Sequence, residues 1–193
     1  MTDLEQLLKT RRTHRRFQQI PISDEDAAYI VRAQQYASCS RNEQHLRYLV
    51  IRSPELLKAI FPHTHWAGRL PRELGFPKPE ERPTMYILVM DLSGGKNYRA
   101  VLNAGLAFSN MTLAAWERGI GSCILGNIAR AQIQKVLNIP SENSLLYLLA
   151  MGYPADSSRV LEISLGGDCA YFMEEPNQFV VPKYRVEDIC EYR

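Results

Sequence analysis

Hydrophobic positions recur at helical spacing in some stretches of this chain and run unbroken in others. Leu4, Leu7 and Leu8 share one helical face, and Thr2 with Glu5 forms a capping-box pattern, which predicts an opening helix. A second helix starts at Ser23-Asp-Glu-Asp26 and carries Ala27, Ile30, Val31 and Ala37 on its apolar side. A polar loop, 38–44, leads into a β-rich stretch at Tyr48–Ile51, and Ser53-Pro54 opens a short helix through Leu57 and Ile60 that ends at Pro62. Residues 62–83 hold five prolines among several charges, the composition of a surface excursion or lid. Met85–Met90 is continuously apolar, which predicts a strand buried on both faces. From about Asn97 to Gly119 apolar residues lie almost all round a long helix, which predicts a central, buried one. A short strand in 120–126, a helix through Ile133, Val136 and Leu137 stopping at Pro140, and a strand at Leu145–Met151 follow, closed by Gly152-Tyr-Pro154. From Ala155 onward no amphipathic period is visible, so the remainder reads as an extended tail. The order predicts one mixed α and β domain over 1–193, with no internal repeats.

Composition narrows the class. The 193 residues are 46% hydrophobic and 23% charged, ordinary values for a globular chain, and the formal charge of +2 is too small to indicate nucleic acid or an anionic membrane as partner. The longest apolar runs fall well short of the roughly 20 residues that span a bilayer. The start, Met1-Thr-Asp-Leu-Glu-Gln, is acidic where a secretory leader would be basic and then apolar, so the expected location is cytoplasmic. Cys39, Cys123, Cys169 and Cys190 are scattered without a CxxC, which predicts reduced, buried or half-buried thiols.

The densest chemistry is Arg11-Arg-Thr-His-Arg-Arg16. Guanidinium forks from Arg11, Arg12, Arg15 and Arg16 with the Thr13 hydroxyl suit a phosphate; the same cations also suit the negative end of a helix. Ser38, Ser40, Asn42 and Gln44 place hydroxyls and amides on one loop, suited to the edge of a pyrimidine-like ring or to turn chemistry. Gly119-Ile-Gly121 with Gly126 does not form GxGxxG, so no Rossmann fingerprint is present. His63-Thr-His65 offers a metal edge or a simple loop pair, and GxSxG is absent. With no residue standing out as nucleophile or base, chemistry carried by a bound cofactor is favoured.

Taken in order, these segments resemble the FMN-dependent nitroreductase family. Arg11-Arg-Thr-His-Arg-Arg-Phe17 is similar to its opening Arg-Arg-Ser-x-Arg-x-Phe, and Ala37-Ser-Cys-Ser-Arg-Asn-Glu-Gln44 to its Ala-Pro-Ser-Ser-x-Asn-x-Gln loop. Asn103-Ala-Gly105, Asn110-Met111 and Leu113-Ala-Ala115 resemble its central helix; Gly119-Ile-Gly121, Cys123 and Gly126 resemble the turn and strand after it. Pro140, Gly152-Tyr-Pro154 and Lys183-Tyr-Arg185 before Glu187 complete the series. Ser38 stands where proline is usual, His45-Leu46 replaces Pro-Trp, and Asn103 sits where aspartate is frequent.

The resemblance implies an α+β fold: a three-layer α/β/α sandwich with a central, mostly antiparallel sheet and a C-terminal tail (155–193) that embraces a second subunit. It implies a homodimer with two FMN sites at the interface. Arg11, Arg12 and Thr13 would hold the phosphate, with Lys183 or Arg185 closing over it, and Arg15 would approach the flavin N1 and C2 carbonyl edge. Ser38, Cys39 and Ser40 would come from the other subunit, Asn42 and Gln44 would read polar edges, and the backbone at Leu125 and Gly126 would face the ring near N5. The implied activity is ping-pong transfer of reducing equivalents from NAD(P)H to a nitroaromatic, quinone or similar small electron-poor acceptor. Dehalogenating, flavin-fragmenting or azoline-oxidising chemistry on the same fold, and a non-catalytic flavin sensor, are the alternatives. A nucleic-acid module built on the arginine cluster is a further one.

Overall fold

The polar entry points of the helices form as side-chain chemistry dictates. In a computed structural model describing residues 3–93, 98–140 and 142–193, α1 (Leu4–Thr10) is capped by the Asp3 carboxylate, which accepts from Glu5 N. The Thr2–Glu5 capping box falls outside the described residues. Ser23 caps α2 (Asp24–Ala33) by accepting from Asp26 N, and three acidic residues in the first turn complement the helix dipole. Ser53 and Pro54 open α3 (Pro54–Ile60). The long helix α5 covers Tyr98–Glu117; the expected start at Asn97 lies outside the described residues.

Four strands form the main sheet in the order β1 (Leu46–Ile51), β2 (Met85–Asp91), β4 (Ser144–Gly152), β3 (Gly121–Leu125), and every pairing is antiparallel. β2 is buried at all seven positions because its alternate side chains enter two different cores. Tyr86, Leu88 and Met90 pack with Ile60, Phe61, Trp66 and Ile133, on the side of α3 and α6 (Arg130–Val136). Met85, Ile87 and Val89 pack with Ile30, Ala104, Phe108 and Met111, on the side of α2 and α5. That division produces the expected three layers and the α+β class.

Two glycines of the motifs are explained by close approach. A Cβ on Gly121 would lie 2.9 Å from His14 and Pro154 side-chain carbons, and one on Gly152 would lie 2.8 Å from Phe17 Cβ. Both sites admit only glycine without displacement of the 14–17 segment.

The segment after Ala155 is not the featureless extension that its sequence suggests. It folds into a second sheet in the order β5 (Ser157–Ile163), β7 (Gln178–Tyr184), β6 (Phe172–Glu175), followed by the short α7 (Val186–Ile189). Phe179 and Val180 of β7 are buried. Residues 62–83 contain the short α4 (Arg72–Gly75) and a helical turn at Pro79–Glu81, and they are fastened to the body by Arg16. Arg16 reaches Leu74 O (2.6 Å), Gly75 O (3.2 Å) and the Glu81 carboxylate (3.0 Å). The thiols are less uniformly hidden than expected: Cys123 is buried and Cys39 half-buried, but Cys169 and Cys190 are exposed.

Candidate functional site

The basic segment 11–16 lies along the edge of the main sheet. Thr13 forms a parallel bridge with Ser122 of β3, and His14 N donates to Ser122 O at 2.9 Å. Its curvature is fixed by one carboxylate that local sequence did not disclose. Asp156, with no side-chain exposure, accepts from Arg15 N at 2.7 Å and Arg16 N at 3.2 Å, and lies 2.7 Å from His14 Nδ1. His14 stacks on Trp116 with centroids 5.1 Å apart.

The arginines then divide by role. Arg16 is spent on the 74–81 segment, and burial lowers its pKa. Arg12 donates to Leu8 O and Lys9 O, so it takes the helix-end role that its position also allowed. Arg11 is half-buried with its pKa lowered by desolvation. Arg15 carries its guanidinium against the Tyr171 ring (4.6 Å) and the Phe179 ring (5.0 Å), and its buried Nη1 has no hydrogen-bond partner. A buried guanidinium nitrogen without an acceptor suits an anionic or carbonyl-rich ligand. Leu125 is buried at the end of β3, and Gly126 follows with its carbonyl accepting from Arg130 at 3.0 Å. Arg130 also binds Leu145 O and Leu146 O, which anchors that turn to β4.

The loop 38–44 forms a second group of predicted residues. Ser38, Cys39, Asn42 and Gln44 line a cavity of about 310 Å³ together with Tyr48 and Asn103. Ser40 N donates to Asn103 Oδ1 at 2.8 Å, and Gln44 N to Cys39 Sγ at 3.4 Å. Arg41, Asn42 and Gln44 all have φ between 52° and 55°, left-handed conformations that cost Arg and Gln energy and that cluster at functional sites. Burial pushes the Tyr48 hydroxyl up to about 12, so it is a proton donor at neutral pH.

The two groups do not meet within one chain. Asn103 near the start of α5 holds the loop, whereas Trp116 near its end donates to Thr10 Oγ1 at 2.8 Å, beside the basic segment. Thirteen residues separate them, about 20 Å at roughly 1.5 Å rise per residue. Nor does a described hydrogen bond or ion pair join Lys183 or Arg185 to the Arg11–Thr13 segment: Lys183 is exposed, and Arg185 binds Ser164 Oγ (2.7 Å) and Asp188 (3.4 Å). His63 and His65 join no cluster of three or more metal-ligating groups among the described residues.

The Nitroreductase family profile matches residues 8–153, which hold all four strands of the main sheet, the 11–16 segment and the loop 38–44, but not Asp156, Lys183 or Arg185. The chain belongs to the nitroreductase family. It is 28% identical over 166 residues to a protein of Archaeoglobus fulgidus assigned as NADH dehydrogenase/NAD(P)H nitroreductase, covering 84% of this chain and 91% of that one. It is also 28% identical over 170 residues to iodotyrosine deiodinase of Thermotoga neapolitana, covering 81% and 91%. An FMN-dependent nitroreductase from Clostridium difficile R20291 shares the fold with a TM-score of 0.63 at 21% identity, over 79% of this chain and 88% of that one. Among the described residues of this nitroreductase-family chain, no helix is long and apolar enough to cross a membrane.

Proposed function

We propose that this chain is an FMN-dependent oxidoreductase that carries reducing equivalents from NAD(P)H to a nitroaromatic, quinone or similar electron-poor acceptor. The observation that carries the reading is Arg15, whose buried Nη1 lacks an acceptor beside the Thr13–Ser122 edge. When bound, FMN supplies a ring that accepts a hydride from a nicotinamide and returns electrons to a second substrate. The residues present fit it. Thr13 and Arg11, with Arg12 near them, would hold the phosphate; Arg15 would stabilise negative charge on the ring's N1 and C2 carbonyl edge. The backbone of Leu125 and Gly126 would face the ring near N5, held in place by Arg130.

The loop 38–44 would complete the site from a second copy. α5 exposes an apolar stripe of Tyr98, Val101 and Leu102, with open Gly105 next along it. A second α5 crossing antiparallel near exposed Ser109, about midway between Asn103 and Trp116 and along the face of Leu102 and Gly105, would bring the loop of one chain against the arginine segment of the other. Ser38, Cys39 and Ser40 would then contact the flavin, with Asn42 and Gln44 presenting amides. Leu161, Leu165, Phe172, Val186, Ile189 and Tyr192 leave the 155–193 segment with exposed apolar surface, which supports its packing on that partner. Lys183, exposed on β7, would close over the phosphate from such an arrangement, with Arg185 as the other candidate. The expected site of action is the cytoplasm.

An absorption spectrum of the purified protein before and after anaerobic NADPH tests the reading. Flavin bands that bleach, and return on adding a quinone, are the expected result; protein that holds no flavin after loading with FMN and gel filtration overturns it. Bands that resist NADPH and NADH favour the sensor reading. The similarity to a deiodinase favours reductive dehalogenation as the second enzymatic reading, and iodide release from an iodophenol by the reduced protein distinguishes it.

A further inference from the structure

Arg15 is oriented by rings rather than by acceptors. Asp156 fixes its backbone N–H at 2.7 Å, but among the described residues no carbonyl or carboxylate accepts a hydrogen bond from its guanidinium. Its Cζ lies 4.6 Å from the centroid of the Tyr171 ring and 5.0 Å from that of Phe179. The two rings are anchored differently. Phe179 is buried in β7 and paired with β5 on one side and β6 on the other, which makes it a fixed wall. Tyr171 is half-buried and lies just before β6, outside the paired strands. Its hydroxyl accepts from Arg69 N at 3.2 Å, and no other described hydrogen bond engages that side chain.

Arg69 belongs to the 62–83 segment, which Arg16 holds at Leu74, Gly75 and Glu81. Residues 15 and 16 both donate their backbone N–H to one Asp156 oxygen, and they reach the same segment by two routes. Arg16 does so directly, and Arg15 through the Tyr171 side chain. A cation over an aromatic face is attracted by the ring quadrupole, more strongly where water is excluded. Without such a hold an arginine side chain samples many rotamers in water, and a mobile, hydrated charge stabilises a nearby anion far less than a fixed one. The Tyr171 ring therefore governs how much of the Arg15 charge acts at a fixed place.

We propose that Tyr171 is a positioning residue of the flavin site: its ring holds the Arg15 guanidinium in place, and its hydroxyl anchors residues 62–83 beside it at Arg69. The inference rests on Arg15 facing the N1 and C2 carbonyl edge of the flavin. Midpoint potentials of the FMN-loaded protein, read spectroscopically against a reference dye, test the hold on Arg15. Tyr171→Leu removes the ring and is expected to shift the two-electron equilibrium about tenfold toward oxidised flavin, about 30 mV to the negative. Tyr171→Phe keeps the ring and should shift it less than about threefold. In an Arg15→Ala background the Tyr171→Leu shift should vanish, which a purely structural role for Tyr171 would not produce. Limited trypsin digestion of the flavin-free protein tests the anchor. Cleavage after Arg69 about fivefold faster in both Tyr171 variants is expected, with circular dichroism unchanged. A Tyr171→Leu potential equal to the parent's overturns the proposal, as do equal shifts in the two Tyr171 variants or a Tyr171→Leu shift that persists without Arg15. Unchanged cleavage in Tyr171→Phe overturns the anchoring at Arg69. Failure of the functional reading has a different signature. A parent chain that holds no FMN, or an Arg15→Ala potential equal to the parent's, removes the role of Arg15 and with it what Tyr171 would position.

Discussion

Asp156 Oδ2 accepts a hydrogen bond from Arg15 N at 2.7 Å, across 141 residues of sequence. The other oxygen of the same buried carboxylate lies 2.7 Å from His14 Nδ1. The conformation of the basic segment therefore depends on a residue just past Gly152-Tyr-Pro154, where β4 ends beside it. Asp156→Ala strips partners from the Arg15 and Arg16 backbone and from His14. It is expected to cost about 3 kcal/mol in urea unfolding, the usual scale for removing one member of a buried charged network. Asp156→Asn keeps an acceptor and is expected to cost less than half of that. Equal losses in the two variants would show that charge, not shape, matters at this position.

Arg15 supplies the second test. Its guanidinium lies over the rings of Tyr171, just before β6, and Phe179 of β7, so the tail sets its direction. Arg15→Ala is expected to slow anaerobic flavin reduction by NADPH about tenfold, roughly 1.4 kcal/mol of transition-state stabilisation. The apparent nicotinamide affinity should change less than the rate. Stopped-flow reduction over a range of NADPH concentrations separates the two, and an unchanged limiting rate would remove Arg15 from the role proposed for it.

Much of this arrangement was legible beforehand, and the reasons for the rest are physical. The buried strand β2, the long helix α5 and the capped starts of α2 and α3 announce themselves because burial and capping act over a few residues. Arg15 and Arg16 look equivalent in sequence; only tertiary partners 58 to 65 residues away make Arg16 a fastening and leave Arg15 with a free nitrogen. Asp156 is invisible for the same reason. β7 shows no amphipathic period, and Pro182 within it argues against a central strand. The structure tolerates it because the β6 pairing ends at Val180, leaving a partner on one side only at that point. β5 is not legible as a strand because none of its seven residues is buried and its apolar residues do not alternate, with Val160 and Leu161 adjacent. The loop 38–44 was readable as a polar set, whereas its left-handed backbone was not.

That backbone leads to a prediction for Asn103. Its Oδ1 is the acceptor for Ser40 N, and it is buried where a loop with three left-handed residues meets α5. Asn103→Ala leaves that N–H unpaired and is expected to cost about 1–2 kcal/mol. FMN affinity, followed by quenching of flavin fluorescence, should fall about tenfold as the loop loses its single conformation. Asn103→Asp, which keeps the acceptor, should retain most of the affinity.

The thiols and buried phenols predict the alkaline limb of stability. Burial pushes Cys123 up to about 11 and Tyr48 up to about 12, and it raises Tyr86 as well. These groups are neutral when protonated, so their stabilising contribution is complete below the unfolded values of about 8.5 and 10 and disappears as pH rises through the folded ones. Urea midpoints should be level from pH 7 to about 8.5 and fall steadily above it. Cys123→Ala should flatten the first part of that fall. At pH 8 a thiol reagent should label Cys169 and Cys190 at once, Cys39 more slowly, and Cys123 only after unfolding, as mass spectrometry would reveal.

Arg16 gives the sharpest test of how residues 62–83 are held. Its guanidinium is almost wholly buried, binds Glu81, and saturates the carbonyls of Leu74 and Gly75. Arg16→Met keeps the volume but leaves a carboxylate and two carbonyls without their donor. The expected loss is about 3–5 kcal/mol if those groups stay buried. A segment free to swing outward would escape much of that loss by hydrating them, and the damage would then be local. Limited trypsin digestion distinguishes the two outcomes, since Arg69 and Arg72, neither followed by proline, lie within residues 62–83. Cleavage there at least tenfold faster than in the parent, with a loss of global stability under about 2 kcal/mol, would identify 62–83 as a lid hinged on Arg16. Slow cleavage with the full loss of stability would make it part of the body.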